Sequence, residues 1–139
     1  RASDGSRAVV VSPQSTAPTL ADKSAYPNLA RTCGTDVHMA RAFAKLCEAY
    51  GWDRVALLHD DSVWGSGGAA AVKTSVAAAN IDVITTVDFE LAAFDDGSVH
   101  VRELLDRLEA ASPRVIVLVT QQRVQRAICA QHRLNAELC

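Results

Sequence analysis

Residues 36–61 read DVHMARAFAKLCEAYGWDRVALLHDD, and this stretch decides the fold class. Four small or apolar side chains in its first part recur at the i, i+3, i+4, i+7 spacing of one buried helix face: Ala40, Phe43, Ala44 and Cys47. This spacing predicts a helix over Asp36–Tyr50, which Gly51 ends because glycine adopts left-handed backbone at little cost. The apolar run that follows, Arg54–His59, predicts a strand buried on both faces.

The alternation of helix and strand continues towards the end of the chain. Two further strands are predicted at Ile81–Val87 and Arg114–Val119. Three further helices are predicted at Ala69–Ala79, Ser98–Ala111 and Gln121–Leu134. Strands separated by helices of this length predict an α/β fold, with a parallel sheet flanked by helices on both faces.

The first part of the chain is less regular. Ala8–Val11 and the weaker Leu29–Cys33 read as strands, and the Ser, Thr and Pro of Ser12–Pro27 indicate a loop between them, with at most a short helix around Leu20–Ser24. In parallel sheets, ligands bind beyond the carboxyl ends of the strands. The predicted site is therefore drawn from the loops that follow the later strands: Asp60–Gly68, Asp88–Gly97 and Thr120–Gln121.

The composition argues against several classes of protein. The 139 residues carry 14 Lys and Arg against 16 Asp and Glu with no basic block, which argues against a nucleic-acid partner. The longest apolar run, Val115–Val119, is far below the ~18 residues of a membrane-spanning helix. Four cysteines are too far apart in sequence for a metal knuckle or a redox pair, and their even number permits disulfides outside the cell: Cys33, Cys47, Cys129 and Cys139. Cys47 is expected to be a small buried residue, and neither a metal nor a cofactor is predicted.

Two loop features invite a catalytic or metal-binding interpretation. The WGSGG segment, Trp64–Gly68, follows a strand as a phosphate loop does, but it lacks the Gly-Lys-Ser/Thr of a P-loop and the GxGxxG spacing. Its glycines fit better with a tight strand-to-helix turn. The doublets Asp60-Asp61 and Asp95-Asp96 are of a kind that metal and phospho-acceptor sites use, and solvated loop carboxylates are the commoner case. No GxSxG nucleophile elbow occurs and no other catalytic constellation stands out, so no enzyme is predicted.

Two stretches resemble the ligand-binding regions of one receptor family. The first, SPQSTAPTLADKSAYPNLARTCGTD at Ser12–Asp36, matches the family pattern in register at ten of its 25 positions: Thr16, Leu20, Asp22, Lys23, Tyr26, Pro27, Leu29, Arg31, Thr32 and Asp36. The second, Ala40–Gly68, is similar to the family's helix, Gly-Trp pair, strand and acidic loop that ends in [YW]-G-x-x-G. The family comprises metabotropic glutamate and GABA-B type receptors, natriuretic-peptide receptor guanylate cyclases and bacterial amino-acid-binding proteins.

The resemblance implies one Rossmann-like lobe of a two-lobed, type I periplasmic-binding-protein clamshell. Arg1–Cys33 is then the remnant of lobe one and the crossover, and Gly34–Cys139 is most of lobe two, so the chain is expected to be a fragment. The implied function is the ligand-binding region of a membrane signalling receptor at the extracellular face of the plasma membrane. The implied partners are an amino acid or similar small ligand, the missing lobe and the membrane domain of the parent chain, and the resemblance is compatible with a dimer.

Three matched positions carry the ligand contacts that the resemblance implies. Thr16 falls where a hydroxyl binds the ligand carboxylate, and Asp36 falls where a carboxylate holds the ligand ammonium. Trp64 falls where a tyrosine ring covers the ammonium in a cation–π contact. Simpler roles stand beside these: a turn residue for Thr16, a helix cap for Asp36 and loop packing for Trp64. Gln14 stands where glutamate-type receptors have serine, which argues against assigning glutamate as the ligand.

Two other functions remain open from the sequence. A solute-binding protein that delivers amino acids to a transporter shares the fold and the site but is not joined to a signalling domain. A stand-alone α/β enzyme or nucleotide-binding domain has the same alternation of elements, because fold alone does not fix function. A phosphate bound at Gly65–Gly68 is the observation that favours this last alternative.

Overall fold

The computed structural model of the chain describes residues 8–95, 97 and 99–136, and it describes the side chains of the last helix as far as residue 131. The strands in these residues are β1 (Val10–Ser12), β2 (Leu29–Arg31), β3 (Arg54–Asp60), β4 (Asp82–Phe89) and β5 (Ile116–Val119). The α-helices are α1 (Asp36–Tyr50), α2 (Val63–Ala78), α3 (Leu91–Asp95), α4 (Val101–Glu109) and α5 (Gln122–Ala136).

Strand β3 lies at the centre of a three-stranded sheet, with β4 on one side and β5 on the other. Both pairings are parallel, which confirms the predicted sheet. The carboxyl ends of the strands therefore meet at one edge, where Asp60 pairs with Phe89. The loops after β3 and β4 touch there, since the N–H of Asp61 donates to the carbonyl of Phe89 at 3.1 Å and the N–H of Leu91 donates to Asp61 Oδ1 at 3.0 Å.

The two short strands at the start of the described chain form a separate sheet. β1 pairs with β2 in parallel, with Val10 opposite Leu29 and Ser12 opposite Arg31. The predicted strands here were longer, because they included Ala8 and ran to Cys33. A 3-10 turn over Pro18–Ala21 lies between β1 and β2, two residues before the predicted helix around Leu20–Ser24.

Helices cover the three-stranded sheet on both faces, as predicted. Neighbouring residues of β3 are fully buried on opposite sides: Val55 and Leu57 pack with α1 and α2, whereas Ala56 and Leu58 pack with α4 and α5. The alternation follows from the two-residue period of a strand. β3 thus belongs to two apolar clusters at once.

Helix α1 has the predicted bounds and the predicted buried face. Ala40, Ala44 and Cys47 are buried, and Phe43 packs partly buried against the same cluster. The helix ends at Gly51, whose φ of 64° is left-handed. The prediction of Cys47 as a small buried residue is confirmed.

Helix α2 corrects the predicted loop Asp60–Gly68. The helix begins at Val63, so the WGSGG segment is helical from Trp64 onward, and none of its glycines has a positive φ. Ser62 starts the helix, because its Oγ accepts a hydrogen bond from the N–H of Gly65 at 3.0 Å. The predicted turn role of these glycines is wrong: they lie within the first turns of a capped helix.

Other boundaries differ by a few residues. The predicted loop Asp88–Gly97 is shorter, because β4 continues to Phe89 and the short helix α3 follows it. Helix α4 begins at Val101 after His100, whereas the predicted cap, Ser98, lies outside the described residues.

Candidate functional site

Thr16 and Asp36, two of the predicted ligand contacts, lie side by side. The N–H of Asp36 donates to the carbonyl of Thr16 at 3.0 Å. The guanidinium of Arg31 donates through Nη1 to the carbonyls on either side of Thr16, at 3.2 Å to Ser15 and 2.8 Å to Ala17. Three successive carbonyls therefore have donors, and the segment that carries Thr16 is fixed to the start of α1.

Asp36 occupies the first position of α1, directly after Thr35. Its Oδ2 atom is buried, and in the described part of the chain it has no hydrogen-bond partner. Burying one carboxylate oxygen without a donor has a cost, because that oxygen has lost contact with water and has gained no hydrogen bond in return. An acid in the first turn also interacts favourably with the helix dipole, but that interaction does not supply the missing donor.

Trp64 lies in the first turn of α2 rather than in a loop, and it is 39% exposed. One turn further along α2, a Cβ on Gly67 would lie 4.0 Å from Cδ of Pro18. Pro18 follows Thr16 by two residues, so the Thr16 segment packs along the same helix that carries Trp64. Because α1 and α2 both begin at the carboxyl edge of the sheet, the structure brings the three predicted residues to one edge.

Asp60, at the end of β3, is fully buried, which corrects its interpretation as a solvated loop carboxylate. Its Oδ1 accepts hydrogen bonds from the N–H of Ser62 at 3.1 Å and from the Ser62 hydroxyl. Its Oδ2 accepts from the Thr120 hydroxyl at 2.7 Å and from the N–H of Gln121 at 3.2 Å. The carboxylate thus joins the residue before α2 to the residue before α5.

The surroundings of Asp60 favour its ionised form. Burial raises the pKa of the Asp60 carboxyl, but hydrogen bonds from Ser62, Thr120 and the N–H of Gln121 outweigh burial and hold that pKa below its usual value of 3.8. The amino-terminal ends of α2 and α5, which carry partial positive charge, both point at this carboxylate. Asp60 is therefore a buried anion with a donor for each of its oxygens.

The other predicted acidic residues also hold the loops at this edge together. Asp61 accepts the N–H of Leu91, and Asp95 forms a two-bond ion pair with Arg123 at 3.0 and 2.7 Å. Asp96, the second residue of the doublet Asp95-Asp96, lies outside the described residues. In the described part of the chain, no group of three or more His, Cys, Asp or Glu side chains is placed to hold a metal.

A separate groove of about 640 Å³ runs between α1 and α2. Its floor is made of small side chains such as Ala44 and Ala71, and Arg41 and Glu48 also line it. Thr16, Asp36 and Trp64 are not among its lining residues. The groove and the predicted ligand site are therefore different surfaces.

Residues 2–136 match the model of the receptor family ligand binding region. The chain belongs to this family. It is 31% identical over 107 residues to metabotropic glutamate receptor-like protein E of Dictyostelium discoideum, an alignment that covers 74% of this chain and 13% of that protein. It is 28% identical over 126 residues to the metabotropic glutamate receptor of Drosophila melanogaster, covering 90% of this chain and 13% of the receptor. The chain thus spans about an eighth of the length of these relatives.

Membership in the receptor ligand-binding family agrees with the observed α/β architecture, a parallel sheet flanked by helices of the type I periplasmic-binding-protein kind. The structure also shows what several of the residues that match the family pattern do. Asp22 accepts hydrogen bonds from the N–H and hydroxyl of Ser24, and Lys23 donates to the carbonyl of Leu29. With Arg31, these residues fix the loop that carries Thr16.

Within residues 8–95, 97 and 99–136, none of the helices combines the length and apolarity needed to cross a membrane. Among the same residues, Cys33, Cys47 and Cys129 are free thiols, and Cys139 lies outside them.

The sequence reasoning missed the role of Asp60 and of its partners Thr120 and Gln121. A usable signal was present: an aspartate directly after a buried strand, with a helix-capping serine two residues later. Thr120 follows the neighbouring parallel strand and had to lie at the same edge. To predict that Asp60 is buried, one must know how close the start of α5 lies to the end of β3. The sequence pattern alone does not provide that distance.

Proposed function

We propose that the chain is part of the extracellular ligand-binding region of a membrane signalling receptor, and that it contributes to the binding of an amino acid or a similar amine-bearing ligand. The observation that supports this most directly is the buried, unpartnered Oδ2 of Asp36. A ligand ammonium supplies up to three N–H donors and a positive charge, which is what this oxygen lacks.

The neighbouring residues suit the rest of such a ligand. Thr16 is half-buried and is fixed against Asp36 through its carbonyl, and its hydroxyl is the group that we propose binds the ligand carboxylate. Trp64 keeps over a third of its surface exposed at the start of α2, where an aromatic face attracts a cation. The curated relatives carry the name of metabotropic glutamate receptors, which supports the amino-acid class.

In this proposal Arg1–Cys33 belongs to the first lobe and the crossover, and Gly34–Cys139 forms most of the second lobe. Ligand binding between two lobes favours the closed arrangement and shifts the equilibrium of whatever domain is joined to them. A transporter's amino-acid-binding protein has the same site without the coupled domain, and it remains the alternative. The match of residues 2–136 to the receptor ligand binding region argues against the third alternative, a stand-alone enzyme or nucleotide-binding domain.

Asp36→Asn tests the role of the carboxylate in the complete ligand-binding region. The substitution keeps the shape and removes the charge, and a charge-assisted hydrogen bond contributes about 1.5–3 kcal/mol, so affinity should fall about tenfold or more. Calorimetric titration with the common amino acids measures this. Trp64→Ala should weaken binding less, by about 0.5–2 kcal/mol, and Trp64→Tyr should be nearly neutral.

Asp82→Asn is the matched control, because Asp82 is exposed at the opposite, amino-terminal edge of the sheet. It should leave affinity unchanged. If Asp36 interacts only with its own helix, Asp36→Asn leaves the affinity at the wild-type value, and the ammonium-binding role is rejected. A loss of affinity with an unchanged melting temperature supports it.

A further inference from the structure

The buried carboxylate of Asp60 has no place among the proposed ligand contacts, yet it joins the two helix starts at that edge. Oδ1 receives both of its donors from Ser62, which caps α2. Oδ2 receives both of its donors from Thr120 and Gln121, which lead into α5. The two oxygens of one planar group therefore serve two different elements.

The start of α2 is held to this carboxylate by close packing as well. A Cβ on Gly65 would lie 2.3 Å from Oδ1 and 2.5 Å from the carbonyl oxygen of Asp60, so only glycine fits. The N–H of Gly65 in turn donates to Ser62 Oγ at 3.0 Å. Trp64 directly precedes Gly65 and follows Ser62 by two residues, so the turn that carries it contains both the donor to Asp60 Oδ1 and the glycine that packs against Asp60.

We propose that Asp60 is a positioning residue: through its carboxylate, the start of α5 sets the position of the first turn of α2, and with it the ring of Trp64. A change in the donors on Oδ2 is transmitted to Oδ1 because the group is planar and fully buried. The inference rests on the proposed function in one respect, since it takes Trp64 as a ligand contact. The coupling itself is measurable without any ligand.

Thr120→Val tests the coupling from the far side. It removes the 2.7 Å hydrogen bond to Oδ2 and retains a branched side chain of similar shape. Amide hydrogen exchange should accelerate about tenfold or more at Ser62 and Gly65, because a hydrogen bond to a buried charged group is lost and the turn opens more often. Acrylamide quenching of Trp64, measured in a Trp52→Phe background, should change in the same variant.

Thr120→Ser is the matched control, because it keeps the hydroxyl and loses only a methyl group. Exchange at Ser62 and Gly65 and quenching of Trp64 should remain at wild-type values. A role in packing alone predicts the reverse, with Thr120→Ser disturbed and Thr120→Val normal, and that result overturns the proposal. The proposal is also overturned if Thr120→Val accelerates exchange at Gln121 but changes neither the exchange at Ser62 and Gly65 nor the quenching of Trp64.

Gly65→Ala tests the same coupling from the α2 side, and it provides the readout if Thr120→Val fails to fold. The added Cβ displaces the Asp60 carboxylate and should accelerate exchange at Gln121 about tenfold or more. Gly67→Ala, whose Cβ meets only Pro18 at 4.0 Å, should leave Gln121 unchanged. Equal exchange at Gln121 in the two alanine variants overturns the proposal.

Amino-acid titration of the Thr120 variants separates this inference from the proposed function. If the quenching of Trp64 changes in Thr120→Val and the affinity for the amino acid falls, the positioning role of Asp60 and the ligand contact of Trp64 are both supported. If the quenching of Trp64 changes and the affinity is unchanged, the positioning role of Asp60 is supported and the ligand contact of Trp64 is rejected.

Discussion

Asp60 shows how a single buried charge is kept stable at the edge of a sheet. Its side chain gives up hydration, and four donors from Ser62, Thr120 and Gln121 replace the lost water. The amino-terminal ends of two helices add favourable electrostatics. The pKa of the carboxyl is accordingly below its usual value, despite burial.

Because the pKa of the Asp60 carboxyl is lowered, the free energy of unfolding should depend on pH in the acidic range. A folded-state pKa below the unfolded value of 3.8 means that Asp60 contributes stability above about pH 4, and that this contribution disappears as the pH falls through the folded pKa. The free energy of unfolding of the wild type should therefore fall more steeply below about pH 4 than that of Asp60→Asn, which cannot lose a charge there. Urea unfolding at a series of acidic pH values measures both slopes. Parallel curves would show that the carboxylate has the same pKa in the folded and unfolded chain.

The sequence identified Asp36, Thr16 and Trp64 as candidates and placed Asp36 and Trp64 at one rim, and the structure brings Thr16 and Asp36 into contact. It misassigned Asp60 because the pattern RVALLHDD shows where a strand ends but not what lies across from its last side chain. That information comes from β5, about 60 residues later in the chain, as the Thr120 hydrogen bond shows.

Helix α2 packs against the sheet more closely than a helix with ordinary side chains could. A Cβ on Gly68 would lie 2.7 Å from Cγ1 of Val119 on β5, so this glycine sets the distance between helix and sheet. The Gly-rich segment was predicted to be a loop with a tight strand-to-helix turn, a conformation that glycine favours. The Ser62 cap and the close approach of α2 to β5 outweigh that preference.

Gly68→Ala and Gly67→Ala should therefore have opposite effects. The Gly68 variant forces α2 away from Val119 and should lower the free energy of unfolding by about 1–3 kcal/mol, the usual cost of overpacking. The Gly67 variant meets only an ordinary contact with Pro18 and should raise it by up to about 1 kcal/mol, because alanine favours helix. Urea melts of both variants test the assignment. Equal stabilities would show that α2 does not depend on Gly68 for its approach to β5.

In the molecule as a whole, two apolar layers lie on opposite faces of the sheet, and β3 contributes buried side chains to both of them. The parallel sheet and its covering helices were predicted, because alternating helix and strand periods leave few other arrangements. The pairing of β1 with β2 was not, because each strand has only three residues and none of the six is fully buried, so no hydrophobic pattern marks their register.

The position of β3 predicts that the two layers unfold as one unit. Leu57 and Leu58 are adjacent and fully buried, but Leu57 packs with α1 and α2, whereas Leu58 packs with α4 and α5. Leu57→Ala and Leu58→Ala should each lower the free energy of unfolding by about 2–5 kcal/mol. When β3 separates from its neighbours, both apolar layers become exposed together. Either variant should therefore reduce amide protection by the same factor at Val76 in α2 and at Leu105 in α4. Loss of protection at Val76 in Leu57→Ala without a loss at Leu105 would show that the layers open separately, and that β3 does not couple them.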